Sequence, residues 1–279
     1  MLNGVLNFAL KITNWCNLNC LHCCENSGCG EPLNFMDLKK FEKYVCEFKE
    51  VPFYASEYIV ITGGESFAPY LFGQPKYIPE ALSCIYKVGG IPTIKTNCLW
   101  GKRADVRMNI LKDLAKSASL GGKLVTLDVS VDEFHNNTSA VANVIASALS
   151  SQNIMCAVRI VLSGFNTEKS ATALKKLKQE LYARDLEIET LSNGDLGVYN
   201  EHGMGFCVPV VFEGDVMDLG RAKQNKVYSA LWNPNIQTVV HCFVIDNNDM
   251  ATLDYLYTEK VAGRKVQTVV ESLARNYGD

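Results

Sequence analysis

Three cysteines within eight residues constrain this chain more than any other feature. Cys16, Cys20 and Cys23 follow a short apolar run, residues 5–12, which predicts a β-strand. Thiolates that converge from one loop are soft ligands, and soft ligands select zinc or an iron–sulfur cluster rather than magnesium or calcium. The sequence therefore predicts a metal centre on a loop that follows the first strand.

The spacing of the three cysteines narrows the choice of metal. A structural zinc site usually has two CxxC pairs, or one CxxC with two histidines, whereas the first gap here is three residues. A bacterial ferredoxin uses two-residue gaps and a fourth Cys followed by Pro, and this sequence lacks that pattern. The CxxxCxxC loop fits three irons of a 4Fe-4S cluster whose fourth iron stays open for a small molecule. A zinc loop and buried thiols without a ligand remain as alternatives.

Two further cysteines lie beside this loop. Cys24 directly follows Cys23, and Cys29 lies in a Ser-Gly-Cys-Gly turn. Either could supply a fourth thiolate. We favour neither, because a cluster with four thiolate ligands would have no iron left for a small molecule.

The composition excludes several classes of protein. The 279 residues carry a net charge of −3 without a basic stripe, which argues against a general nucleic-acid surface. The apolar runs are shorter than the roughly 18 residues of a membrane span, so we expect a soluble protein without a membrane partner. Eleven irregularly spaced cysteines, in a chain that opens without a basic and apolar leader, do not resemble a secreted disulfide framework. We therefore expect a reducing, cytoplasmic compartment.

Strand-like and helix-like stretches alternate over the first 192 residues. Strands are predicted at 5–12, 57–62, 91–95, 124–131, 154–162 and 186–191, and helices at 35–49, 77–88, 104–116, 139–149 and 167–181. This alternation predicts βαβ units around a parallel sheet. In such folds the functional residues gather at the carboxyl ends of the strands. We therefore expect the cysteine loop to share one rim with the residues that end the later strands.

The residues at these strand ends carry a resemblance to a known family. Gly63-Gly64-Glu65 ends the second predicted strand, Asn97 follows the third, and Ser130 and Asp132 end the fourth. With the CxxxCxxC loop they resemble the radical S-adenosylmethionine (SAM) enzymes over residues 5–192. The resemblance implies an α/β fold, a partial (β/α)6 TIM-like barrel, with a 4Fe-4S cluster and SAM as cofactors.

The resemblance also assigns roles to individual residues. Cys16, Cys20 and Cys23 are the expected cluster ligands, and His22 stands where the family often has an aromatic residue before the last cysteine. Gly63-Gly64-Glu65 matches the family's element that holds the SAM amino group, and a carboxylate beside an ammonium is a favourable pair. The other expected cofactor contacts are Asn97, Ser130, Asp132 and Arg159.

Some of these residues have structural alternatives. Ser130 and Asp132 lie on one face of their strand, where they could simply cap its end. Arg159 lies in an otherwise apolar run, and an unpaired buried cation would be costly, so we expect it to have a carboxylate partner. An ion pair with Asp132 or Glu65 is the alternative to a contact with the SAM carboxylate.

The resemblance weakens after residue 192. We predict a barrel domain over residues 1–200 and a small α+β extension over 201–279. In the extension, residues 218–222 look like the Gly-Arg-Ala segment of the extensions called SPASM or twitch, and residues 242–249 look like their hairpin. Those extensions usually bind auxiliary clusters through several cysteines. This tail has only Cys207 and Cys242, too few for a four-ligand cluster, so we expect it to lack one.

The activity implied by the resemblance is reductive cleavage of SAM. An external donor such as flavodoxin or ferredoxin would reduce the cluster, and the resulting 5′-deoxyadenosyl radical would abstract hydrogen from a substrate. The Gly-Arg-Ala segment and the hairpin-like tail favour a ribosomally made peptide, modified by crosslinking or epimerisation. The compact chain and the few tail cysteines leave radical chemistry on a small metabolite, such as a sugar or nucleoside, as an alternative. A non-catalytic metal-stapled or electron-transfer module is the third hypothesis.

Overall fold

The structure is a computed structural model that describes most of the chain. The described residues are 5–20, 23, 27–51, 55–165, 167–212, 231–233, 238–254 and 257–276. They divide into two compact units. The first unit consists of residues 1–66, 80–92 and 217–279, and the second of residues 67–79 and 93–216.

Strands and helices alternate in the first part of the chain, and strands dominate the rest. The strands are β1 (Val5–Lys11), β2 (Ala55–Thr62), β3 (Ile91–Thr96), β4 (Val125–Ser130), β5 (Val158–Gly164), β6 (Glu187–Thr190), β7 (Leu196–Tyr199), β8 (Gly205–Val208), β9 (Val210–Phe212), β10 (Leu231–Asn233), β11 (Thr238–Asp246), β12 (Met250–Leu253) and β13 (Tyr257–Lys260). The helices are α1 (Leu38–Lys49), α2 (Ala68–Leu71), α3 (Tyr77–Lys87), α4 (Ala104–Gly121), α5 (Thr138–Leu149), α6 (Gln152–Met155), α7 (Glu168–Tyr182) and α8 (Val266–Asn276), with a 3-10 turn at Leu99–Lys102.

The first unit joins the two ends of the chain in one sheet. Its strands lie in the order β13-β12-β11-β1-β2, in which β11 runs parallel to β1 from the Val5–Val240 pair to the Lys11–Asp246 pair. Phe8 of β1 stacks on Phe48 of α1, with ring centroids 4.2 Å apart, and on Phe243 of β11, at 5.9 Å. All three rings are buried. The C-terminal hairpin is therefore part of the core that holds the first strand.

The second unit is a parallel sheet in the order β3-β4-β5-β9. Ile94, Leu127 and Ile160 are register neighbours on one face, and all three are buried. Lys95 and Asp128, the next residues along, are also paired in register and lie on the opposite face. The sheet therefore has one apolar face and one face that carries polar side chains.

The prediction that the sixth strand continues the parallel sheet is wrong. The predicted run at 186–191 forms β6, which pairs antiparallel with β7 in a separate β6-β7-β8 sheet, whereas the strand parallel to β5 is β9. Glu187 and Glu189 flank Ile188 in β6, and both glutamates are exposed, a pattern that suits an antiparallel strand at the surface better than a parallel strand buried on both faces. The α/β class with parallel strands and helices is confirmed. The partial (β/α)6 barrel stays a prediction.

The other predicted elements match the structure apart from their ends. Helix α4 extends five residues beyond its predicted end, to Gly121. In the predicted fifth strand, Ile154 lies in the short helix α6 and β5 begins at Val158. Among the described residues, no helix is both long and apolar enough to cross a membrane.

Helix α1 holds the turn of the C-terminal hairpin through one carboxylate. Asp249, in the turn between β11 and β12, has a φ of 61°. It accepts a hydrogen bond of 2.7 Å from the Tyr44 hydroxyl and lies 2.9 Å from Lys40 Nζ. Burial, together with the bond to Asp249, raises the pKa of Tyr44 strongly, so its hydroxyl remains a donor at neutral pH. Burial opposes ionisation of Asp249, but the bonds from Tyr44 and Lys40 outweigh it and lower the pKa of Asp249.

The Tyr44 hydroxyl should contribute measurably to stability. Removing it in Tyr44→Phe should lower the free energy of unfolding at neutral pH by about 1.5 kcal/mol, the lower end for a hydrogen bond to a charged group, since Asp249 is partly exposed. Urea unfolding of the parent and the variant measures the difference. Tyr182→Phe is the control: its exposed hydroxyl donates a 3.3 Å bond to a neutral carbonyl, and its removal should change stability by less than about 0.5 kcal/mol.

The pH dependence of this difference tests the role of the carboxylate. Because the pKa of Asp249 is lower in the folded than in the unfolded chain, its contribution is fully present above the unfolded pKa of about 3.9 and is lost as pH falls through the folded pKa. The gap between parent and Tyr44→Phe should therefore narrow in acid. A gap that widens in acid would contradict the assignment.

Candidate functional site

The cysteine loop is fixed at both ends by backbone hydrogen bonds within the first unit. At its start, the Ile12 N–H donates to the Thr62 carbonyl at 2.9 Å. At its far end, Gly28 pairs with Trp15 in an isolated parallel bridge, and the Cys16 N–H donates to the Gly28 carbonyl at 3.1 Å. Cys16 therefore has a defined backbone position on the loop that follows β1.

The end of β2 lies against the same loop. The Gly64 N–H donates to the Thr13 carbonyl at 2.9 Å, and the Glu65 N–H donates to the Trp15 carbonyl at 3.0 Å. A Cβ atom at Gly64 would lie only 2.1 Å from the Trp15 oxygen. At Gly63 the φ is +152°, and a Cβ atom would lie 2.7 Å from the Thr13 oxygen. Both glycines are thus required by close backbone contact, and this contact brings Gly63-Gly64-Glu65 next to Cys16.

The Glu65 side chain is completely withdrawn from solvent. Its exposed fraction is 0 %, and a carboxylate so buried is stable only where polar or cationic groups satisfy it. Such a position suits a carboxylate that binds a cation at a fixed place. It does not suit one whose role is to be hydrated at the protein surface. The backbone bond from Glu65 to Trp15 fixes where the side chain leaves the chain.

The sulfur atoms of the loop accept hydrogen bonds from the backbone. The Leu18 N–H donates to Cys16 Sγ at 3.4 Å, and the Ser27 N–H donates to Cys23 Sγ at 3.4 Å. Donors of this kind stabilise thiolates and help to set the potential of a cluster that thiolates hold. The chemistry of these donors therefore fits an iron–sulfur cluster.

The described part of the cysteine loop does not form a complete metal site. The Cys23 N–H donates to the Cys20 carbonyl at 3.1 Å, which places these two residues in one turn. Within the described residues, however, no three His, Cys, Asp or Glu side chains lie close enough together to hold a metal ion. His22 and Cys24 lie outside the described residues. The ligand set of Cys16, Cys20 and Cys23 stays a prediction.

The neighbouring Cys29 has a partner in the same loop. Asn19 donates through Nδ2 to Cys29 Sγ at 3.0 Å and accepts from the Cys29 N–H at 3.0 Å. The thiol is exposed. These contacts give Cys29 a structural role in closing the loop.

In the second unit, Asn97 lies in a hydrogen-bonded turn that follows β3. The preceding Thr96 accepts through Oγ1 from the Cys98 N–H at 2.9 Å and from the Trp100 indole at 3.0 Å. Asn97 Oδ1 accepts from the Leu99 N–H at 3.0 Å. Thr96 and Asn97 are both buried. The turn is therefore rigidly built at the strand end that the sequence singled out.

The end of β4 combines a buried carboxylate with a histidine. Asp132 is buried and accepts through Oδ1 from the Phe134 N–H and from His135 Nδ1, each at 2.8 Å. Ser130, the other predicted residue of this strand end, is half-buried. Asp132 thus shapes its own turn and orients His135, a contact that the sequence alone does not reveal.

The expected burial of Arg159 is wrong. Its side chain is exposed on β5, so it does not need the buried carboxylate partner that the apolar run implied. Arg159 pairs in register with Thr126 and therefore lies on the polar face of the second unit's sheet. The same face carries an ion pair that the sequence analysis missed, between Lys95 Nζ and Asp128 Oδ2 at 3.0 Å. The signal was present at Asp128, which lies between Leu127 and Val129 in its strand.

The two tail cysteines belong to different compact units. Cys207, in the second, donates to Asp195 Oδ2 at 3.6 Å; burial raises the pKa of this thiol, and the charge of Asp195 raises it further. Cys242, in the first, donates its backbone N–H to Asp254 at 2.6 Å. The predicted Gly-Arg-Ala segment at 220–222 lies outside the described residues.

The fold has known relatives, although the sequence alone finds none. The sequence matches no family model and has no significant match among curated proteins. Native anSMEcpe with bound AdoMet (SAM) matches with a TM-score of 0.53 and 13% identity, over 95% of this chain and 80% of that one, and a histidine-tagged form of anSMEcpe matches equally well. Native anSMEcpe with bound AdoMet and the Cp18Cys peptide aligns at 18% identity with a TM-score of 0.41, over 64% of this chain and about half of that one, 48%. Since anSMEcpe is a radical SAM enzyme, the chain has the fold of a radical SAM enzyme with a C-terminal extension.

Proposed function

We propose that this protein is a radical SAM enzyme, which cleaves SAM reductively and uses the resulting radical to abstract hydrogen from a substrate. The observation that carries the proposal is the contact between the end of β2 and the cysteine loop. Glycines that permit backbone contact bring a fully buried glutamate beside Cys16. The fold shared with anSMEcpe, which binds AdoMet, supports the same conclusion.

In this proposal the cysteine loop holds a 4Fe-4S cluster. Cys16, Cys20 and Cys23 would be its ligands, and the backbone donors to two of the sulfurs would stabilise their thiolate forms. When bound and reduced, such a cluster supplies the electron that breaks the bond between sulfur and the adenosyl carbon of SAM. An external reductant such as flavodoxin or ferredoxin would provide that electron.

Glu65 is the proposed partner of the SAM ammonium. A buried carboxylate offers a strong, charge-assisted hydrogen bond to an ammonium, because little water competes for either group. The nearby glycines let the backbone at the end of β2 approach the cysteine loop, and this approach brings Glu65 beside the loop. Asn97, Ser130, Asp132 and Arg159 remain proposed contacts of the same cofactor, and His22 remains a further one from the cysteine loop.

A peptide is the proposed substrate. The anSMEcpe enzyme, whose AdoMet-bound form shares the fold of this chain, has also been solved with the Cp18Cys and Kp18Cys peptides bound, and this is consistent with a peptide substrate. Crosslinking and epimerisation are the candidate outcomes for this chain. Radical chemistry on a small metabolite stays the second candidate, because the two tail cysteines, Cys207 and Cys242, are too few for a four-ligand auxiliary cluster.

The first experiment measures SAM cleavage. Protein reconstituted anaerobically with iron and sulfide should hold about four irons per chain, as one 4Fe-4S cluster requires, and should form 5′-deoxyadenosine from SAM when a reductant is supplied. Cys16→Ala, Cys20→Ala and Cys23→Ala should each lose both the iron and the product. Chromatography of the reaction mixture and iron analysis give the two readouts.

Two nearby cysteines are the matched controls for this experiment. Cys24→Ala and Cys29→Ala should keep the iron and the product, because neither is a proposed ligand. Zinc in place of iron, or no 5′-deoxyadenosine from protein that carries a full cluster, would contradict the proposed function.

The second experiment separates SAM binding from cluster binding. Glu65→Gln should bind SAM about 10- to 150-fold more weakly, because it loses a charge-assisted hydrogen bond, while its iron content stays near that of the parent. Glu259→Gln is a control in the same unit, since Glu259 bonds to Arg264 and Ser272 of the tail. Equal SAM affinity in Glu65→Gln and the parent would show that the end of β2 is wrongly assigned.

A further inference from the structure

One buried asparagine links the ends of two strands in the second unit. Asn137 Nδ2 donates to the Asn97 carbonyl at 2.6 Å and to the Ser130 carbonyl at 2.7 Å. The Asn137 side chain is 1 % exposed. Because both partners are carbonyl oxygens, only the amide nitrogen can face them, so the orientation of the amide group is determined by the network.

Asn137 makes these bonds instead of the bond that its position normally favours. It is the residue before α5, where an asparagine usually accepts a backbone N–H of the first turn and stabilises the helix. The Asn137 side chain makes no such bond. Its Oδ1 atom is buried and has no hydrogen-bond partner among the residues that the structure describes. The side chain therefore serves the strand ends at the expense of the helix.

The loop before α5 is shaped to deliver this side chain. Asn136 has a φ of 37°, in the left-handed region that asparagine tolerates better than most residues. Asp132 and His135 hold the earlier part of the same loop through their 2.8 Å contact. Asn137 thus does not make the helix cap that its position favours. Such a departure from local preference is expected where function, rather than folding, determines the residue.

The two bonds made by Asn137 lie just beyond the last register pair of β3 and β4. The last register pair between β3 and β4 joins Thr96 to Val129. Asn97 directly follows β3 and Ser130 is the last residue of β4, and the Asn137 amide connects their carbonyls. Since a backbone position determines where its side chain leaves the chain, the amide sets the relative positions of the Asn97 and Ser130 side chains.

We propose that Asn137 is a positioning residue for SAM, which holds Asn97 and Ser130 in the arrangement that binds the cofactor. This inference rests on the proposed function, because Asn97 and Ser130 are its proposed SAM contacts. Asn137 itself would act through these two residues. The structural alternative is that the amide only stabilises the fold.

The test measures SAM affinity by titration of reconstituted, cluster-loaded protein. Asn137→Ala should weaken SAM binding by about 5- to 30-fold, the equivalent of about one to two ordinary hydrogen bonds, with iron content unchanged. Asn143→Ala is the matched control, in the helix that Asn137 precedes: Asn143 accepts from Arg184 at 2.9 Å and donates to the Gly101 carbonyl at 3.4 Å, and it bonds to neither strand end. It should bind SAM within about twofold of the parent.

A double-mutant cycle distinguishes positioning from stability alone. If Asn137 acts through the Ser130 hydroxyl, Asn137→Ala should cost less affinity in a Ser130→Ala background than in the parent, whereas a purely structural effect should be the same in both. Asn137→Ser, which keeps one donor, should lie between the parent and Asn137→Ala, and it carries the test if Asn137→Ala does not fold. Parent-like SAM affinity in the Asn137 variants would overturn this inference, as would fully additive losses of affinity in the double variant with Ser130→Ala. Either result would leave the proposed function unaffected. A parent protein that holds its cluster but binds no SAM would overturn the proposed function as well.

Discussion

The close approach of Gly64 to the Trp15 carbonyl is the constraint on which the candidate site depends. Any side chain at Gly64 would collide with that oxygen, so the end of β2 can reach the cysteine loop only with glycine there. The two backbone bonds made by Gly64 and Glu65 then use the N–H groups that a longer strand would have paired. One short segment thus closes the loop, ends the strand and places a buried carboxylate beside Cys16.

In the second unit, a side chain rather than the backbone connects two strand ends. Beyond the last register pair of β3 and β4, the Asn137 amide donates hydrogen bonds to the carbonyls of Asn97 and Ser130. The polar face of this sheet is organised by the Lys95–Asp128 ion pair. In both units, polar groups that would be costly to bury alone are fixed by partners at strand ends, where parallel α/β folds place their ligands.

Local patterns predicted the parts of the fold that local physics decides. The helical spacing of Phe41, Val45 and Phe48 predicted α1, and all three are buried. Pairing between distant segments was not predictable from such patterns: β11 beside β1 and β9 beside β5 are separated by long stretches of chain. Arg159 was misjudged for a related reason, since an apolar run does not show that one face of its strand is polar. Asn137 was missed because its signal, an asparagine before a helix, normally indicates a cap.

The central claim is that the cysteine loop holds a cluster with one iron open to SAM. Electron paramagnetic resonance of the anaerobically reduced protein, recorded before and after SAM is added, tests it most directly. If the amino and carboxylate groups of SAM bind that iron, the spectrum of the reduced cluster should change on addition of SAM and should not change with 5′-deoxyadenosine, which lacks both groups. A cluster spectrum that SAM leaves unaltered would contradict the account.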